Sequence, residues 1–196
     1  MAIGIMGGSF NPVHYGHLFA AEEARVSFGM RKVVFVPTGY PYYKEVCDIA
    51  PKEDRYIMVI IATVDNDRFE VSRIEIDKEG PTYSIDTVAE IKKRYPGEEI
   101  FFITGLDAVE ELPTWKEPER LLSMCRFIAV TRPGYDAHRL QEKLPRSYLE
   151  RIELLFIPGL TISSTDIRKR VKSGRSIRYM VPPLVESYIF KKGLYL

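Results

Sequence analysis

Two histidines three residues apart, His14 and His17, stand in the stretch IMGGSFNPVHYGHL, in a chain that holds three histidines in all. If a helix begins near His14, the two imidazoles share a face at its N-terminal end. There they lie beside unsatisfied backbone N–H groups and the positive end of the helix dipole. That combination suits a polyphosphate undergoing transfer. Gly7 and Gly8 close the apolar run that precedes them, and glycine permits positive φ and close backbone approach at a strand-to-helix turn over phosphate. The spacing is neither the dinucleotide-binding fingerprint nor a Walker loop. A zinc pair is the other chemistry open to the histidines, but no third Cys or His lies near them in sequence. The glycine pair alone is an ordinary turn. The informative pattern is Gly-Gly, Pro12, His14, Gly16 and His17 taken together.

A second stretch, GLTISSTDIRKRVKSGR, combines Ser163 with Asp166 three residues later, much like a capping box. Ile167 and Val171 give the helix an apolar face, and Gly174 can end it. It reads as a well-capped basic surface helix, or as a second helix N-terminus aimed at phosphate with Arg168 one turn in. Both readings can hold together.

These residues must be positioned by the elements around them. Apolar runs alternate with helical patterns: strands at Ala2–Met6, Lys32–Pro37, Phe69–Ile76, Glu99–Thr104, Phe127–Thr131 and Ile152–Ile157, and helices at Tyr15–Phe28, Glu53–Val64, Ser84–Arg94 and Ala137–Lys143. Short helices broken by Pro113 and Pro118 fill VEELPTWKEPERLLSM. The alternation predicts an α/β protein with a doubly wound, mainly parallel sheet, and the near-continuous apolar strands suit a sheet covered on both faces. VPTGYPYYKEVCDIAPKED is the longest irregular section and a candidate active-site loop. The expected organisation is one domain over residues 1–196, with a helical C-terminal appendage from about residue 163.

Composition sets the outer bounds. With 45% apolar and 28% charged residues the chain has the make-up of a soluble globular protein. A net charge of +1 gives no overall attraction to a polyanion, so phosphate must be bound by local groups. No nucleic acid or membrane partner is expected: RKRVKSGRSIR reads as a solvated helix face, and no apolar run nears the ~20 residues of a membrane span. The N-terminal stretch lacks the basic and apolar regions of a signal peptide. Cys47 and Cys125 do not form a disulfide framework, which predicts a cytoplasmic protein with reduced thiols. Cys125 reads as a small buried apolar residue.

GGSFNPVHYGHL and ISSTDIR resemble the two signature motifs of the nucleotidyltransferases that carry a His-x-Gly-His sequence, and within them the bacterial nicotinate mononucleotide adenylyltransferase family. VPTGYPYYK, GPTYSIDT, FFITGLDAVEELPTW and MVPPLVESYI extend the resemblance in order over nearly the whole chain. It implies a Rossmann-like fold and transfer of AMP from ATP to nicotinate mononucleotide, giving deamido-NAD and pyrophosphate in NAD biosynthesis. It implies that Gly8, Ser9 and Phe10 bring backbone groups to the nucleotides while His14 and His17 hold the ATP phosphates. Gly105 and Asp107 match a strand-end Gly-x-Asp on the nucleotide ribose, and Ser163, Ser164 and Arg168 a second phosphate clamp. Thr82 and Tyr83 match a loop whose amides face the nicotinate carboxylate, and Trp115 the aromatic that stacks on the pyridine. Lys44 is the loop cation near substrate. The catalytic set is then His14, His17, Lys44 and Arg168. Mg²⁺ is expected to arrive with ATP, with no metal site of the protein's own.

The residues make physical sense in these places. Asp107 follows the apolar strand FFIT, at a carboxyl end where open α/β sheets bind ligands, although capping of a short helix accounts for it as well. Thr82 and Tyr83 precede a helix with Ser84 as its predicted cap, so N–H donors point outward there. Trp115 is the one tryptophan, in a charged, proline-broken context that favours a partly exposed stacking face over a core position. Three positions depart from the family pattern: Asn11 replaces an Asp, Tyr43 a His, and Lys116 an aromatic. The rival readings are a phosphopantetheine adenylyltransferase and a non-catalytic nucleotide-binding module. Oligomeric state, including a homo-oligomer, and the preference for acid over amide are not legible in the sequence.

Overall fold

The computed structural model describes residues 1–40, 49–131, 138–158 and 161–196. Tyr43, Lys44 and Cys47 of the candidate loop therefore lie outside the described residues. Six strands form one sheet: β1 (Ala2–Gly8), β2 (Met30–Pro37), β3 (Phe69–Val71), β4 (Glu99–Gly105), β5 (Arg126–Thr131) and β6 (Ile152–Phe156), in the order β3-β2-β1-β4-β5-β6. β1–β4, β4–β5 and β5–β6 pair in parallel. This is the doubly wound, Rossmann-like order, with its reversal between β1 and β4. The cause is visible in β2, where Val33, Val34, Phe35 and Val36 are all fully buried. Successive strand residues point to opposite faces, so four in a row require cover on both.

The chain divides into two compact units. The first comprises Met1–Gly7, Ala20–Val34 and Tyr83–Gly159. In it α3 (Ser84–Arg94) buries Ile85, Val88 and Ile91, three- and four-residue steps that make one apolar stripe, and packs on α5 (Pro118–Met124). Phe102 of β4 and Phe127 of β5 stack at 5.2 Å between ring centroids. The second unit comprises Gly8–Phe19, Phe35–Thr82 and Leu160–Leu196. There α2 (Lys52–Thr63) packs against β3 and against α9 (Pro183–Lys192), and α8 (Ser164–Lys172) carries the second motif. The first motif leads from β1 into α1 (Tyr15–Ser27).

Three expectations are corrected. The strand over Phe69–Ile76 stops at Val71. Beyond it, the Ile74 N–H donates to Ser72 Oγ at 3.3 Å and the Asp77 N–H to the Arg73 carbonyl at 3.0 Å, local bonds that compete with a ladder. The N-cap of α3 is Tyr83, in extended backbone, and Ser84 is already helical. A short helix at Arg146–Leu149, entered behind Pro145, was not anticipated; it buries Tyr148, whose hydroxyl donates to Glu119 Oε1 at 2.7 Å.

Candidate active site

The second unit holds the first signature motif from Gly8 onward and the whole of the second. The loop from β1 turns through Phe10 at φ 44° and a cis Asn11–Pro12 peptide. The left-handed residue is thus Phe10 and not a glycine. It is 1% exposed, with its ring 5.1 Å from that of His17 in an edge contact and 5.8 Å from Phe35. Those contacts hold a backbone conformation that a phenylalanine otherwise avoids. In the first unit, Gly7 has the tighter approach: a Cβ there would stand 3.0 Å from the Phe102 ring.

α1 begins directly after His14, whose carbonyl accepts from the His17 N–H at 2.9 Å. His14 and His17 stack at 3.7 Å between centroids, with planes 28° apart. The main-chain N–H of His14 also donates to His17 Nδ1 at 3.3 Å. An imidazole nitrogen that accepts carries no proton, so in the neutral ring the hydrogen is on Nε2, which becomes a donor. Gly16 makes room for the stack. A Cβ there would meet His14 Nδ1 at 3.0 Å and Cε1 at 3.1 Å, tight enough that the ring would have to shift.

The two motifs are joined by direct bonds. Ser164 Oγ donates to the Pro12 carbonyl at 2.9 Å, and Arg168 Nη1 donates to the Asn11 carbonyl at 2.9 Å. Ser163 caps α8, its hydroxyl accepting from the Asp166 N–H at 3.1 Å. The capping reading of ISSTDIR thus holds, and it leaves the phosphate-facing one open to the same helix start. A guanidinium has five N–H donors, so the bond to Asn11 orients Arg168 while leaving capacity for an anion. Ser9 is braced from below. Arg55 of α2, 1% exposed, donates from Nη1 to the Ser9 carbonyl at 2.8 Å, from Nη2 to Gly39 at 3.1 Å and from Nε to Ala50 at 3.0 Å. The Gly8 carbonyl accepts from the Thr38 N–H at 2.9 Å. Thr82 is buried, its hydroxyl donating to Glu75 Oε2 at 2.6 Å.

The remaining positions lie in the first unit. Gly105 ends β4 and caps the short helix Leu106–Glu110, with Asp107 exposed in its first turn rather than capping it. A Cβ on Gly105 would stand 2.5 Å from Asp107 Oδ1, so this carboxylate folds back over the glycine. Trp115 is half-buried. It meets Phe102 at 5.9 Å and Phe127 at 6.0 Å edge-on, which anchors the indole without enclosing it. Lys116 Nζ lies 4.2 Å over the Tyr83 ring. The Cys125 thiol is pushed up to about 12 by burial, the inert state its apolar surroundings predict.

Sequence reasoning did not find Arg55 or Tyr195. Arg55 had a signal: with Met58, Val59 and Ala62 it occupies the buried stripe of α2, where a cation is out of place. Tyr195, whose hydroxyl donates to Asn11 Oδ1 at 2.8 Å, had none, being 184 residues away in sequence. Among the described residues, no group of three His, Cys, Asp or Glu side chains gathers as a metal cage would, and no helix is long and apolar enough to cross a membrane.

A family model described as cytidylyltransferase-like matches residues 5–170. Relatives from Moorella thermoacetica and Thermoanaerobacter sp. (strain X514), each named "Probable nicotinate-nucleotide adenylyltransferase", are both 51% identical to this chain. The matches span 98% and 100% of it, and 91% and 94% of the relatives. The chain belongs to the nicotinate-nucleotide adenylyltransferase family. Among solved structures, Plasmodium falciparum nicotinic acid mononucleotide adenylyltransferase complexed with NaAD superposes with a TM-score of 0.79. The two are 24% identical, over 99% of this chain and 97% of that one. At that identity the likeness speaks for the family's fold alone.

Proposed function

We propose that this chain transfers AMP from ATP to nicotinate mononucleotide, as an adenylyltransferase of NAD biosynthesis. The observation that carries the reading is the stacked His14–His17 pair at the start of α1, with its donor nitrogen fixed by the His14 main chain. The bonds from Ser164 and Arg168 to the same loop support it, as does the shared name of the relatives at 51% identity.

In the reaction, a 5′-phosphate oxygen of the mononucleotide attacks the α-phosphorus of ATP in line. The bond from that phosphorus to the bridging oxygen breaks, and pyrophosphate leaves with the electron pair. The attacking phosphate is already anionic, so no general base is needed. Catalysis is positioning and charge stabilisation. His14, His17, Ser163, Ser164 and Arg168 are assigned to the ATP phosphates, with backbone groups of Gly8, Ser9 and Phe10. Gly105 and Asp107 are assigned to the ribose. Thr82 and Tyr83 are assigned to the nicotinate carboxylate and Trp115 to the pyridine, where a cationic ring over indole gains about 0.5–2 kcal/mol. Lys44 is assigned the role of loop cation that the family resemblance implies. The side chains assigned to the phosphates are imidazole, hydroxyl and guanidinium, not the carboxylates that hold a resident Mg²⁺, and the second motif's own carboxylate, Asp166, is paired with Arg170. They fit an ion carried in on the nucleotide. Two distant cysteines are in keeping with a reducing, cytoplasmic setting.

The test supplies ATP and Mg²⁺ with nicotinate mononucleotide, its amide counterpart or phosphopantetheine, and follows pyrophosphate. Turnover with the nicotinate substrate is expected. Turnover with phosphopantetheine alone overturns the reading, and none with any acceptor favours a nucleotide-binding module.

A further inference from the structure

Asn11, the first-motif position that departs from the family pattern, is 2% exposed and holds three segments at once. Its side-chain oxygen accepts from the Ala50 N–H at 3.0 Å and from the Tyr195 hydroxyl at 2.8 Å. Its main-chain carbonyl accepts from Arg168 Nη1 at 2.9 Å. A carbonyl oxygen has two lone pairs, so Asn11 Oδ1 can accept from Ala50 and Tyr195 at once.

The delivery of Tyr195 to this spot is built into the fold. Tyr188 donates to Asp54 Oδ1 at 2.7 Å and Lys192 lies 3.6 Å from the same carboxylate, which fixes α9 on α2. Gly193 then ends α9 at φ 64°, and the Leu194 N–H returns to the Ile189 carbonyl at 3.0 Å, a helix-stop geometry that reverses the chain. Tyr195 follows at φ 66°, a left-handed conformation that a tyrosine keeps only when its surroundings hold it. Burial raises its phenol well above the usual range, although Arg168 and Arg55 nearby pull the other way. The hydroxyl therefore keeps its proton and remains a donor.

We propose that Tyr195 is a positioning residue for phosphate binding: through Asn11 it fixes the carbonyl that orients the Arg168 guanidinium. The proposal rests on the reading that Arg168 serves the phosphates of ATP. Without the phenol, Asn11 loses the Tyr195 bond, and with it one of the contacts that hold the carbonyl aiming Arg168.

The experiment is a double-mutant cycle of Tyr195→Phe and Arg168→Ala, with Arg168→Gln in place of the latter if alanine does not fold. Each variant is read by calorimetric affinity for Mg²⁺–ATP, which needs no acceptor, and by turnover with nicotinate mononucleotide. Loss of one neutral hydrogen bond predicts ATP binding about 3- to 10-fold weaker in Tyr195→Phe. In the Arg168 background the same change should add less than about twofold, because the group it positions is gone. A merely structural tyrosine weakens binding by the same factor in both backgrounds. That outcome, or wild-type affinity in Tyr195→Phe, overturns the proposal. If the unmodified protein binds ATP yet does not turn over, the functional reading fails while the cycle in affinity still judges Tyr195. If it binds no ATP, both fall.

Discussion

His17 gives one ring nitrogen to the His14 main chain, and that bond decides what the other can do. With Nδ1 accepting, Nε2 carries the hydrogen in the neutral ring. In the proposed reaction that hydrogen is the one His17 offers to the charge that develops on the phosphate. Gly16 is needed for this as much as the histidines are, since a methyl group there would press on the His14 ring. His17→Ala should therefore lower kcat about 10²-fold or more, the usual loss when an aligned transition-state donor is removed. Steady-state turnover beside a circular dichroism spectrum checks it, and near-native kcat in a folded variant would remove His17 from the mechanism.

The elements hold such residues in place through bonds that no local pattern announces. α2 looks like an ordinary amphipathic helix, yet its largest fully buried side chain is Arg55, which donates to the carbonyls of Ser9, Gly39 and Ala50. Arg55→Met fills similar volume but takes a donor from three carbonyls, two of them in buried bonds, where a polar group left unsatisfied costs about 1–3 kcal/mol. A loss of about 3–5 kcal/mol is expected once relaxation is allowed for. Urea unfolding measures it as a lower midpoint at unchanged slope, and a midpoint equal to wild type would show that the carbonyls find other donors. The elements themselves were readable because the sheet is buried on both faces. Runs such as Val33–Val36 and Phe101–Ile103 leave few other interpretations. The third strand was over-read because alternation continues past Val71 while Ser72 and Arg73 divert the backbone into local bonds. The motifs announced His14, His17 and Arg168 by residue type and spacing. They were silent on what braces the loop beside them, because Arg55 and Tyr195 reach Ser9 and Asn11 across long separations in sequence.

Over the molecule as a whole, several acids are held neutral by burial, and this sets how stability responds to pH. The Cys125 thiol is raised from 9.0 to about 12, chiefly by desolvation. The phenols of Tyr148 and Tyr188 are raised from 10.0 to about 12, first by burial and then by their bonds to Glu119 and Asp54. In the unfolded chain each group returns to its ordinary value and loses its proton at lower pH than in the folded protein. Between the two values the folded state binds more protons, so stability falls as pH rises. Below about pH 9 the contribution is fully present; from there to about 12 it is progressively lost, first through Cys125 and then through the tyrosines. Tyr195, whose phenol burial raises as well, adds to the same slope. The expected result is an unfolding temperature nearly level up to pH 9 that then drops steeply. Tyr148→Phe and Cys125→Ala should each make the drop shallower, whatever they do to the level at neutral pH. An unfolding temperature that holds to pH 11, or variants that fall as steeply as the parent, would show that these buried acids do not govern the alkaline limit.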